Sequence, residues 1–137
     1  MLDKVISQVL PYFPPKLIWQ FSKNYIAGKT IQDAIKVSKS LNRKNVMVTL
    51  DILGEFIETM SQAAKNRDNY LALIHAIEAA GINGNYSVKP TMFGLLIDKK
   101  NCFEYLRELT AEAATHGNFV RIDMEDSACV DDSIDIF

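Results

Sequence analysis

The chain has 137 residues, of which 48% are apolar and 23% charged, and fifteen Lys and Arg against seventeen Asp and Glu give a net charge of −2. This composition excludes a disordered or collagen-like chain and argues against a dedicated nucleic-acid binder. The length suits one domain with its own core, and no apolar run is long enough to span a bilayer.

The first 44 residues read as a helical segment. Pro11, Pro14 and Pro15 punctuate it. Leu17, Ile18, Phe21, Tyr25 and Ile26 form a helical stripe over Lys16–Ile26, and Gly28 is a stop signal. Asp3, Lys4 and Gln8 interrupt any signal-peptide core. This segment carries eight Lys/Arg and two acids. A basic amphipathic start is compatible with contact at a membrane surface, although singly scattered lysines are more often a solvated face. Thr30 with Asp33 resembles a capping box ahead of a helix whose stripe is Ile31, Ala34, Ile35 and Leu41.

From residue 45 the pattern changes to alternating strands and helices. Val46–Leu50 is short, apolar and partly β-branched, which predicts a strand covered on both faces. Residues 57–80 return to helical spacing through Tyr70, Leu73, Ile74 and Ile77, and Gly81 ends them. Tyr86–Lys89 is a second strand. Asp98 caps a helix with the stripe Cys102, Tyr105, Leu106, Leu109 and Ala113, and Gly117 closes it. Phe119–Asp123 is a third strand, and Ile134 and Phe137 belong to a further helix. Strands separated by helices pair in parallel. The fold class is therefore α/β: an incomplete (β/α)8 TIM-type barrel, its first three βα units at 45–137, preceded by N-terminal helices. A closed barrel needs about 250 residues. An open sheet edge and an uncovered inner face follow, and the chain reads as the N-terminal part of a longer protein.

Each strand ends in a charge: Asp51, Lys89 and Asp123. Parallel strands place these at one end of the sheet, where such folds bind ligands. A lysine between carboxylates stays charged and can hold a substrate carboxylate, whereas a desolvated lysine can form a Schiff base. A structural ion pair closing a strand end is the plainer alternative. Other chemistries lack their signatures. There is no phosphate loop, and no dinucleotide fingerprint or nucleophile elbow occurs. His75 and His116 are far apart in sequence and outside any zinc motif, so no metal site is expected. His75 reads as packed or solvated on its helix. Cys102 lies on a core stripe, and Cys129 sits in an acidic stretch that raises its pKa. With no disulfide framework, a reduced, cytoplasmic setting is the default. Met47, Met92 and Met124 read mostly as core residues.

Three segments carry a resemblance: Val48-Thr49-Leu50-Asp51-Ile52-Leu53-Gly54-Glu55, Ser87-Val88-Lys89-Pro90-Thr91, and Val120-Arg121-Ile122-Asp123-Met124-Glu125-Asp126-Ser127. Together with Tyr25-Ile26-Ala27-Gly28-Lys29-Thr30, in this order and spacing, they resemble the proline dehydrogenase family, in particular its short bacterial monofunctional members. The resemblance implies a distorted barrel with noncovalent FAD. It also implies oxidation of L-proline to 1-pyrroline-5-carboxylate, with a quinone as electron acceptor. By the same resemblance Lys89 binds the substrate carboxylate, Asp123 is the catalytic-site aspartate, Met124 touches the flavin, and Asp51 and Glu55 shape the mouth. Pro90 departs from the family, which commonly has leucine there. The paired arginines that the family uses for the carboxylate have no counterpart in these residues. Two other readings stay open on the residues alone: a Schiff-base lyase using Lys89, and a non-catalytic fragment acting through protein contacts.

Overall fold

The computed structural model describes Pro14, residues 26–54 and residues 57–137. The expected helix at Lys16–Ile26, nearly all of the segment before residue 26, and Glu55 lie outside the described residues.

Among the described residues four α-helices and three strands follow in chain order: α1 (Ile31–Asn42), β1 (Val48–Leu50), α2 (Met60–Ala79), β2 (Gly84–Val88), α3 (Lys99–Thr115), β3 (Val120–Ile122) and α4 (Val130–Asp135). Short 3-10 helices occupy Pro90–Phe93 and Ser127–Cys129. The sheet is parallel, in the order β1-β2-β3. Its register pairs Leu50 with Tyr86 and Val88 with Ile122.

Local chemistry sets the boundaries. The Thr30–Asp33 capping box opens α1 as expected. A second box, Thr59 with Gln62, opens α2. Asp98 Oδ1 accepts the Asn101 N–H at 3.1 Å to start α3. Gly81 and Gly117 follow α2 and α3 with φ of 63° and 69°, the left-handed conformation that glycine adopts without strain.

The core lies between the sheet and α2 and α3. Tyr70, Leu73, Ile74 and Ile77 of α2 and Cys102, Leu106, Leu109 and Ala113 of α3 are buried against Leu50, Tyr86 and Val88. Each fully buried large apolar side chain contributes roughly 1.5–3 kcal/mol. Gly84 allows the first two strands to meet. A Cβ there would lie 2.6 Å from Val48 Cγ2 and 2.8 Å from the Val48 carbonyl oxygen.

Three expectations are corrected. β1 is not covered on both faces: it is an edge strand whose Thr49 is exposed. The fully covered strand is β2, where Asn85, Tyr86, Ser87 and Val88 are all buried. The sheet's inner face is therefore not bare at its centre. Both neighbours flank the short Asn85 and Ser87 side chains, and Thr49 Oγ1 donates to Asn85 Oδ1 at 3.0 Å. The methionines also divide. Met92 is core, but Met47 and Met124 are exposed at 58% and 59% because each lies just outside a strand.

Candidate functional site

The three charged residues follow directly from the strand ends. Asp51 succeeds Leu50, Lys89 succeeds Val88 and Asp123 succeeds Ile122. Leu50 and Val88 are buried in the core, and Ile122 packs against it. Side-chain alternation then turns the next residue of each strand toward the opposite face. Val88 pairs with Ile122, so Lys89 and Asp123 occupy the next rung, and the Asp123 N–H donates to the Val88 carbonyl at 2.9 Å. Asp51 stands two rungs lower, beside Ser87. All three lie at the C-terminal edge of one parallel sheet. Asp51 is exposed, while Lys89 and Asp123 are half-buried.

Pro90 fits this edge. Lys89 is extended, with φ −107° and ψ 120°, and Pro90 begins the 3-10 helix. A first helical residue needs no N–H partner, so the missing donor costs little.

Two side chains that sequence reasoning did not single out for the site organise the rim. The first is Tyr70 of α2, fully buried and tilted against Phe93 with ring centroids 5.4 Å apart. Its hydroxyl lies 2.8 Å from Asp51 Oδ1 and 2.9 Å from the Ser87 carbonyl oxygen, and it accepts the Ile52 N–H at 3.0 Å. One hydroxyl thus ties the end of β1 to β2. Burial, reinforced by the negative charges of Asp51 and Asp123, holds this phenol well above its ordinary pKa. The apolar stripe located Tyr70, but its polar partners depend on strand register.

The second is Glu125. The Thr91 N–H donates to Glu125 Oε1 at 3.0 Å, and the Thr91 hydroxyl forms a short hydrogen bond to Glu125 Oε2. Lys89, Thr91, Met124 and Glu125 line a cleft of about 530 Å³ with the apolar side chains Ile57, Leu96 and Ile97. One basic side chain, the carboxylates Glu125 and Asp126, an exposed thioether and an apolar wall therefore face one space. Such a space can take a small molecule that offers an anionic group to Lys89 and an apolar body to the wall.

The cysteines are not nucleophiles here. Burial pushes the Cys102 thiol up to about 12, and it donates to the Pro90 carbonyl at 3.4 Å. Cys129 is buried too; its pKa is raised by burial first and then by Glu125, Asp126 and Asp132. His75 is exposed and pairs with Glu112 Oε1 at 2.9 Å. Among the described residues no group of three or more His, Cys, Asp or Glu is arranged to hold a metal ion, and no helix is long and apolar enough to cross a membrane.

Comparison with known proteins adds four findings. The sequence model of the family described as "Proline dehydrogenase" matches residues 34–137. A proline dehydrogenase of Deinococcus radiodurans is 32% identical over 123 residues, covering 88% of this chain and 40% of that protein. Proline dehydrogenase 1 of Bacillus subtilis is 30% identical over 116 residues, covering 85% of this chain and 38% of that protein. The chain thus spans about two fifths of the length of these curated relatives. In fold it is similar to proline utilization A (PutA) from Bdellovibrio bacteriovorus, whose crystal structure is of the form inactivated by N-propargylglycine. The TM-score is 0.81 at 22% identity, over 89% of this chain and 15% of that one.

Proposed function

Because the chain belongs to the proline dehydrogenase family, we propose that its rim of Asp51, Lys89 and Asp123 is part of a site that oxidises L-proline to 1-pyrroline-5-carboxylate. Residues 45–137 supply the first three βα units of a (β/α)8 barrel, and residues 1–44 a helical segment ahead of it. FAD is the electron acceptor, and a quinone takes the electrons onward. The observation that carries this reading is the placement of Lys89. It leaves the middle strand with Asp123 on the same rung of the neighbouring strand, in the cleft that Met124 also lines.

Each residue has a task in that reading. Lys89 holds the substrate carboxylate by opposite charge and so fixes the ring's distance from the acceptor. Asp123 orients cationic groups around it through charge-assisted hydrogen bonds. Asp51, held by Tyr70, shapes the lower side of the mouth, a task that the family resemblance also gives to Glu55.

The residues suit a flavin. Asn85 Nδ2 and Ser87 Oγ are buried without a hydrogen-bond partner among the described residues, on the inner face below Lys89. Met124 presents an exposed thioether at the rim. Met124 would touch the flavin, and the unmatched amide and hydroxyl are polar groups that a bound polar molecule can satisfy. FAD, when bound, supplies the two-electron acceptor for the oxidation.

The test uses the protein that carries these residues, loaded with FAD. L-proline should bleach its flavin absorbance under anaerobic conditions. Lys89→Ala should weaken binding of cyclopentanecarboxylate, which keeps the ring and carboxylate but has no nitrogen to oxidise. Loss of one hydrogen bond to a charged group, about 1.5–3 kcal/mol, corresponds to roughly ten- to a hundredfold in affinity. Unchanged affinity would overturn the role of Lys89. Borohydride trapping of a carbonyl compound on Lys89, without flavin bleaching, would replace the oxidation with Schiff-base chemistry.

A further inference from the structure

We infer that Glu125 is a positioning residue for Lys89. It is a carboxylate from the loop after β3 that caps the turn after β2, and so fixes the aim of the lysine in the cleft. This rests on the proposed role of Lys89 in holding a carboxylate.

The first N–H groups of a helical turn have no partner within the turn, and they are ordinarily capped by the side chain just before it. For the 3-10 helix Pro90–Phe93 that position is Lys89, which has no acceptor atom and makes no side-chain cap. Pro90 carries no N–H, so the first donor to satisfy is that of Thr91. Glu125, 34 residues later in the chain, satisfies it, and its second oxygen takes the Thr91 hydroxyl. Both oxygens of one carboxylate thus grip one residue, which fixes orientation as well as distance.

This grip joins the loop after β2 to the loop after β3. Lys89 is two residues before Thr91, and Met124 is one residue before Glu125. The brace therefore sets the distance between the substrate-binding amine and the thioether on the other side of the cleft. The far end of the turn is held as well: Asn66 Nδ2 donates to the Met92 carbonyl at 2.9 Å. At the near end the Cys102 thiol donates to the Pro90 carbonyl at 3.4 Å. With Met92 anchored to α2 and the Pro90 carbonyl to α3, loss of Glu125 releases the Thr91 N–H and hydroxyl, beside the point where Lys89 leaves the strand.

The experiment compares Glu125→Ala, Glu125→Gln and Thr91→Val in the FAD-loaded protein. Two probes are titrated by calorimetry: cyclopentanecarboxylate, which carries the anion, and pyrrolidine, which keeps the ring nitrogen but lacks the carboxylate. A misaimed lysine weakens only the first. Glu125→Ala should lose on the order of tenfold in affinity for cyclopentanecarboxylate, with pyrrolidine unchanged. Glu125→Gln should restore binding, because an amide can accept the Thr91 N–H and donate to the Thr91 hydroxyl. Thr91→Val keeps one of the two bonds and should fall between. Equal weakening of both probes would reduce Glu125 to a purely structural group. Gln as damaging as Ala would mean that the charge itself, not the brace, matters. Either result overturns the inference, as does unaltered affinity in Glu125→Ala. If Glu125→Ala does not fold, Glu125→Gln and Thr91→Val decide on the same criteria. If Lys89→Ala also leaves cyclopentanecarboxylate affinity intact, the fault lies with the functional reading, not with Glu125.

Discussion

Replacing Tyr70 by Phe isolates one oxygen atom. The ring stays, so the contact with Phe93 and the burial in the core are kept. Three interactions end: one accepted from the Ile52 N–H, and one proton shared between Asp51 Oδ1 and the Ser87 carbonyl. Because a hydroxyl has a single proton, the loss counts as one accepted and one donated bond. Asp51 is exposed, and water replaces the tyrosine there at little cost. The Ile52 N–H and the buried side of the Ser87 carbonyl are harder to rehydrate. Together these give about 2 kcal/mol of lost stability, or roughly 7 °C in Tm for a chain of this length. Urea unfolding should show a lower midpoint with an unchanged m value. A second signature lies at alkaline pH. The folded pKa of Tyr70 is raised above the ordinary 10.0 by burial and by Asp51 and Asp123. The unfolded chain releases this proton as pH rises past 10, and the folded protein does not. The stability tied to Tyr70 is therefore complete below pH 10 and declines above it, and Tyr70→Phe should flatten that decline. A destabilisation below about 0.5 kcal/mol, with the alkaline limb unaltered, would refute the clamp as an energetic link between the strands.

Two further predictions follow from packing and burial. Gly84→Ala puts a Cβ against the Val48 carbonyl oxygen, which belongs to the backbone of the paired strand. It should cost about 2–3 kcal/mol or more, and native-state hydrogen exchange should show β1 opening ahead of β3. The Cys102 thiol, pushed up to about 12 by burial, should resist alkylation near neutral pH until the protein is unfolded in urea. Rapid labelling of the folded protein at Cys102 would contradict the packing of α3.

The sequence reveals most where one local rule decides the outcome. Thr30 and Asp33 announce the start of α1, and Gly81 and Gly117 the ends of α2 and α3. Apolar spacing alone identifies Tyr70, Leu73, Ile74 and Ile77 as one buried face. Strand ends at Asp51, Lys89 and Asp123 are visible because helices separate the strands and force parallel pairing. Other features need the third dimension. β1 looks doubly covered because Val46–Leu50 is apolar, yet its place at the edge is fixed by which strand joins which. Met124 looks like a core residue by type, yet it falls past the last rung of β3. The grip of Glu125 on Thr91 links positions 34 apart and depends on the register between β2 and β3, for which no short-range pattern exists. Tyr70 is a stripe residue by spacing and a polar clamp by position.

Among the described residues β2 pairs with β1 and β3 with β2, each with the strand made immediately before it. A chain built this way can assemble in the order in which it is synthesised, since every new strand finds its template already in place. One backbone edge stays with β1, while the other passes at each step to the newest strand, the part closest to the ribosome. Exposure of that edge to other chains is then brief for every strand that another follows, which lowers the opportunity for intermolecular β pairing during biosynthesis.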